Sequence, residues 1–119
     1  MGDLVSRPEG VDDPDVCYLT TSGRITGSPH RIEIWFARHQ NSLYLLSGGG
    51  DRSDWVRNLM VSPDVVVEVG ATKRNTRAHV VEDPEEDALA RALLLEKYGS
   101  GGDLSEWGRA ALPVAIDWQ

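Results

Sequence analysis

Two apolar runs separated by four polar residues constrain this chain more than any other feature. Residues 31–38 (RIEIWFAR) alternate, with Ile32, Ile34 and Phe36 on one face and Arg31, Glu33, Trp35 and Ala37 on the other. A period of two is that of a half-buried strand. Gln40-Asn41-Ser42 then makes a turn, and Leu43 to Ser47 (LYLLS) is a second run of strand character. Parallel neighbours need a long crossover, so runs this close pair antiparallel as a hairpin. Four more segments read as strands: Val16–Thr21 (VCYLTT), Val65–Val69 (VVVEV), Arg74–Glu82 and Leu112–Trp118. Between the first two lies GRITGSP (23–29), whose two glycines and proline make a turn. Six short strands that mostly meander predict a mainly β (α+β) small barrel, not a parallel sheet.

Two helices interrupt the strands. Ser53 is placed to cap a short one to Val61 after the third strand, ended by Ser62-Pro63. Asp83-Pro84 starts a longer one after the fifth strand: Asp caps, proline suits the first helical position, and Glu85, Glu86 and Asp87 favour the dipole. Its apolar stripe is read as Leu89, Ala92, Leu93, Leu95 and Tyr98, and Gly99 to Gly102 end it. Leu104 to Arg109 reads as one further helical turn, carrying Trp107.

A chain of 119 residues is one domain by default. Residues 1–15, with Pro8, Pro14, two glycines and five acids, read as a mobile arm, leaving 16–119 as the barrel domain. The net charge is −7, unevenly spread. From Tyr18 to Val80 eight basic and five acidic residues give +3, and the remaining four basic and fourteen acidic residues give −10. An acidic protein is a poor nucleic-acid binder, while the basic centre can hold a small anion. The single Cys17 cannot form an intramolecular bridge and reads as a core hydrophobe. With no leader pattern and no apolar run of membrane length, the expected setting is the cytoplasm, without a membrane span.

The stretch from Ser47 to Asp54 (SGGGDRSD) carries the most chemistry. A strand ends, three glycines follow, and a helix begins. Glycines let a flat or anionic ligand approach the backbone, and helix-start amides point outward. The same glycines also serve as a plain flexible connection. Elsewhere the usual catalysts are missing. His30, His39 and His79 sit in separate elements without metal-ligand spacing, and no nucleophile elbow, Walker or dinucleotide fingerprint is present. An enzyme built this way draws its chemistry from a bound cofactor.

The run LTTSGRITGSPHRIEIWF, then LYLLSGGG, then DWVRNLMVSPDVVVEV resembles the deazaflavin-dependent nitroreductase family over about residues 17–118. That family shows a T-T-G-R-x-[ST]-G-x-P segment, a strand ending in S-x-G-G, a W-x-x-N-L helix and a P-x-V-x-V strand. The resemblance implies a split β-barrel of the FMN-binding, pyridoxamine-phosphate-oxidase-like type. It also implies the 8-hydroxy-5-deazaflavin coenzyme, factor 420, as hydride donor to a small acceptor such as an enone, nitro compound or quinone. The implied roles are these. Arg24, Thr26, Gly27 and His30 lie where the family contacts the phosphate and acidic tail. Ser47, Gly48 and Gly49 meet the edge of the ring, Trp35 lines its pocket, and Trp55 and Asn58 fix the adjoining loop and helix. Tyr98 and Trp107 border the substrate. Ile25, His30 and Gly48 stand where many members carry basic residues, and Gly101 and Leu104 replace aromatics near Tyr98. Two alternatives share the fold: an FMN-dependent reductase, and a non-catalytic protein that sequesters a flavin-like or fatty ligand. Barrels of this type often form homodimers, and four tryptophans leave room for an apolar contact.

Overall fold

Seven strands form one curled antiparallel sheet in the order β2-β1-β5-β6-β7-β4-β3. The structure, a computed structural model, describes residues 16–98 and 111–118. In chain order the strands are β1 (Val16–Ser22), β2 (Pro29–Trp35), β3 (Ala37–His39), β4 (Ser42–Ser47), β5 (Asp64–Val69), β6 (Thr72–Val80) and β7 (Leu112–Asp117). A 3-10 turn, Gly50–Arg52, and helix α1 (Asp54–Val61) follow β4, and helix α2 (Pro84–Tyr98) follows β6. This is the mainly β split-barrel architecture expected, with seven strands in place of six. The expected arm at 1–15, the helix stop at Gly99–Gly102 and the turn at Leu104–Arg109 with Trp107 lie outside the described residues.

The extra strand comes from one break. The run expected as a single strand over 31–38 is cut at Phe36. The Tyr98 hydroxyl donates to the Phe36 carbonyl at 2.7 Å and accepts from its amide at 3.1 Å. Lys97 Nζ donates to the same carbonyl at 2.8 Å. With both backbone groups taken by α2, Phe36 cannot join a ladder. The chain therefore leaves β2 at one edge of the sheet and enters β3 at the other. As a result the two helices follow the fourth and sixth strands.

The concave interior holds Cys17, Leu19, Leu43, Leu45, Val65, Val67, Val114, Ile116 and Trp118, plugged by Val56 and Leu59 of α1. Helix α2 covers the opposite face of β4 and β7, where Tyr44, Leu46 and Ala115 meet Ala90 and Leu94. Both faces of these two strands are thus buried, and so LYLLS reads as continuous apolar sequence. Of the stripe expected on α2, Leu89, Leu93 and Tyr98 pack partly buried against this layer, while Ala92 is exposed and the fully buried positions are Ala90 and Leu94. The Asp83 cap is made, with Glu86 N donating to Asp83 Oδ2 at 2.9 Å. The Ser53 cap is not made, because that side chain is engaged elsewhere.

Candidate functional site

Helix α1 and the β1–β2 turn are locked together by one buried amide. Asn58 Oδ1 accepts from the Arg24 backbone amide at 3.1 Å and from Arg24 Nη1 at 2.9 Å. Asn58 Nδ2 donates to Thr21 Oγ1 at 3.1 Å. Asn58 and Thr21 are each only 1% exposed, so these bonds satisfy groups that water cannot reach. One helical turn earlier, Asp54 shares the face of Asn58 and takes Arg24 Nη2 at 3.1 Å. The turn closes on itself through Gly23 N to Ser28 O at 2.7 Å and Gly27 N to Gly23 O at 2.8 Å. Gly27 there has φ of +80°, a conformation glycine adopts at little cost. A cavity of about 160 Å³ opens beside it, lined by Gly23, Arg24, Ile25, Thr26, His30, Asp54 and Asn58.

The segment from β4 to α1 is pinned by two serines. Buried Ser47 donates through Oγ to the Gly50 carbonyl at 2.9 Å. Its Oγ also lies 2.8 Å from Ser53 Oγ. Ser47 has one proton, given to Gly50, so Ser53 donates to Ser47. Gly48 and Gly49 stay exposed between these anchors. A Cβ on Gly49 would stand 2.5 Å from Ser53 Oγ, so the serine pair requires bare backbone there.

At the far end of β2, Trp35 stacks on Tyr98, with ring centroids 4.5 Å apart and planes 4° from parallel. Trp35 is still 39% exposed. A cleft of about 260 Å³ lies against it, lined by Val16, Glu33, Ile34, Trp35 and Leu46. Strand β2 ends the sheet and, among the described residues, pairs only with β1. Its other edge keeps backbone donors and acceptors outside the ladder. From His30 to Ile34 that edge runs about 13 Å at the usual strand rise. Leu46 of that cleft is linked back to Arg24 by Ser47, Ser53 and Asp54, through consecutive residues and the bonds just given. Strand β2 spans the two cavities, with His30 lining one and Ile34 and Trp35 the other, and this span is the β2 trough.

The expected site residues fall into groups. Arg24, Thr26, His30 and Asn58 line or floor the cavity by the β1–β2 turn. Ser47 is buried and Gly48 and Gly49 are exposed between β4 and α1, lining neither cavity, and Trp35 and Tyr98 meet at the far end of β2. Gly27 lines a groove on the outer face of the sheet, with Thr20, Val66 and Arg77, and does not line the Arg24 cavity. Trp55 is half-buried against the barrel interior, as a packing anchor is. Trp107 lies outside the described residues. Three contributors were not singled out from sequence: Thr21, Leu46 and the ion-pairing role of Asp54. The i, i+4 spacing of Asp54 and Asn58 was the available signal.

Burial pushes the Cys17 thiol up to about 12, so it stays protonated and inert. Among the described residues no three of His, Cys, Asp and Glu group to hold a metal. No described helix is long and apolar enough to cross a membrane.

The profile of the family described as F420H(2)-dependent quinone reductase matches residues 2–119. Among solved structures, one described as an F420-H2 dependent reductase is 22% identical, with 88% of this chain and 95% of that chain covered at a TM-score of 0.70. One described as a domain-swapped dimer is 21% identical, covering 88% and 81%, with a TM-score of 0.72. HutZ, the heme storage protein from Vibrio cholerae, is 17% identical, covering 88% and 82%, with a TM-score of 0.72. At these identities the likeness is one of fold, and the fold alone serves several ligands.

Proposed function

The chain belongs to the F420H(2)-dependent quinone reductase family, and from that membership we propose that it reduces a small activated acceptor, an enone, nitro compound or quinone, with deazaflavin held along the β2 trough. The family is one of oxidoreductases that use factor 420. One observation carries the reading: β2, an edge strand among the described residues, leads to partly exposed Trp35, which lines a cleft with Leu46, and the exposed backbone of Gly48 and Gly49 follows Leu46 by two and three residues. A flat ring with amide-like edges needs backbone donors and acceptors on its rim, apolar contact on its face and no Cβ in the way. The residues of the trough fit such a ring.

When bound, the coenzyme supplies the hydride. The chain supplies position and exclusion of water. Ile34, Trp35 and Leu46 offer an apolar lining. Ser47 and Ser53 hold the glycine backbone in place, and Asn58 fixes α1 against the β1–β2 turn. Cys17 is enclosed in the barrel and stays protonated, so it takes no part. The acceptor takes its proton from solvent.

The direct test is titration of the purified protein with the coenzyme, followed by coenzyme fluorescence. Saturation at or below tens of micromolar is expected, a binding free energy of about 6 kcal/mol. Absence of saturable binding, or a protein that purifies yellow with FMN, overturns the reading. Loss of reduced-coenzyme absorbance with a panel of quinones, nitroarenes and enones then identifies the acceptor. A second copy is the expected protein partner, in keeping with the dimeric neighbour, and light scattering measures it.

A further inference from the structure

We propose that this chain recognises its coenzyme by the ring and does not select for the charged tail, because Asp54 holds the one arginine of the tail-end cavity. The proposal rests on the function inferred above. Of the residues lining the cavity by the β1–β2 turn, only Arg24 and Asp54 carry opposite full charges, and they bond each other at 3.1 Å. Their charges cancel where an anion would sit. The geometry makes the cancellation effective. Arg24 Nη1 is turned inward to Asn58, and the arginine side chain is only 27% exposed. Asp54 is 79% exposed, so an anion arriving from solvent meets the carboxylate first.

No other residue lining this cavity carries a full positive charge. Ile25, 88% exposed on the turn, contributes none. Gly48, exposed after β4, contributes none. Arg57 turns its Nε to the Asp51 carbonyl at 3.1 Å, and the Asp51 side chain adds a further exposed negative group. A phosphate could reach the Arg24 guanidinium only by displacing Asp54 or by lying beside it against like charge. At the ring end the one charged lining group is Glu33, which accepts from the Tyr18 hydroxyl at 3.1 Å, and the other contacts are backbone and apolar. A tail-free deazaflavin riboside should therefore bind about as well as the full coenzyme.

The test compares these two forms by fluorescence titration at low and high salt, on wild type, Asp54→Asn, Asp51→Asn and Arg24→Gln. In wild type the two forms should agree within about threefold, with little salt dependence. Asp54→Asn frees Arg24 and should tighten the full coenzyme by roughly tenfold, in a salt-sensitive way, leaving the tail-free form unchanged. Asp51→Asn should change neither form by more than about twofold, and Arg24→Gln should weaken the full coenzyme by less than about threefold. A full coenzyme bound more than about thirtyfold tighter than the riboside overturns the proposal, as does an Arg24→Gln loss of that size. Either result leaves the function above standing. If neither form binds wild type, that function fails and this inference falls with it.

Discussion

Asn58 is the residue on which the trough's geometry turns. Its three hydrogen bonds join α1 to Thr21 and Arg24 in a place water does not reach. Asn58→Ala strands the Thr21 hydroxyl and the Arg24 amide, and should cost about 2–4 kcal/mol of stability in urea unfolding. Asn58→Asp keeps an acceptor against Arg24 and should lose less. Cys17 gives a pH signature. Its folded pKa, about 12, lies above the reference value of 9.0, so the folded state holds the proton more tightly. That contribution is complete below pH 9 and is lost as pH rises through 12. The stability of wild type relative to Cys17→Ala should therefore fall over that window, and a thiol reagent should react only after unfolding. At this scale the sequence pointed to residue types and left out their partners. Asn58 was legible as a buttress within W-x-x-N-L. Its partner Thr21, 37 residues away, was not, because periodicity reports which face a residue takes and not what it meets there.

Among the elements, the break at Phe36 is the least legible from sequence and the most consequential. Apolar alternation runs unbroken through RIEIWFAR, and the groups that interrupt it lie 61 and 62 residues further on. Tyr98→Phe removes both hydroxyl bonds to Phe36, while the ring can still stack on Trp35. The expected loss is about 1–2 kcal/mol, with amide exchange at Phe36 accelerating more than exchange at interior positions such as Leu45. An unchanged exchange rate would show that the crossover is held by something else. The hairpin was legible in part because its signal is local: the turn is Gln40-Asn41, with Gln40 at φ of +55° and Ser42 in β4 and not in the turn, and only the end of the 31–38 run, β3, pairs with β4.

At the scale of the molecule, strand number and short connections sufficed to predict a small antiparallel barrel, since they leave few other ways to bury the apolar faces. The strand order was not legible, because the pairing of β1 with β5 and of β4 with β7 joins segments that carry no local mark of each other. The two apolar layers share β4 and β7, so damage to one should propagate to the other. Leu94→Ala, a fully buried truncation in the outer layer, should cost about 2–4 kcal/mol. Tryptophan fluorescence and far-ultraviolet dichroism should still report one coincident transition. The interior position of β7 bears on how the protein is made. It is the last described strand in chain order, yet it lies between β6 and β4 and pairs with both. During synthesis every earlier strand leaves the ribosome before the one that joins the two halves of the sheet. Until residues 112–117 emerge, β4 and β6 each present a row of unpaired amides to the cell. The nascent chain is therefore most exposed to aggregation in the interval before this strand emerges and inserts.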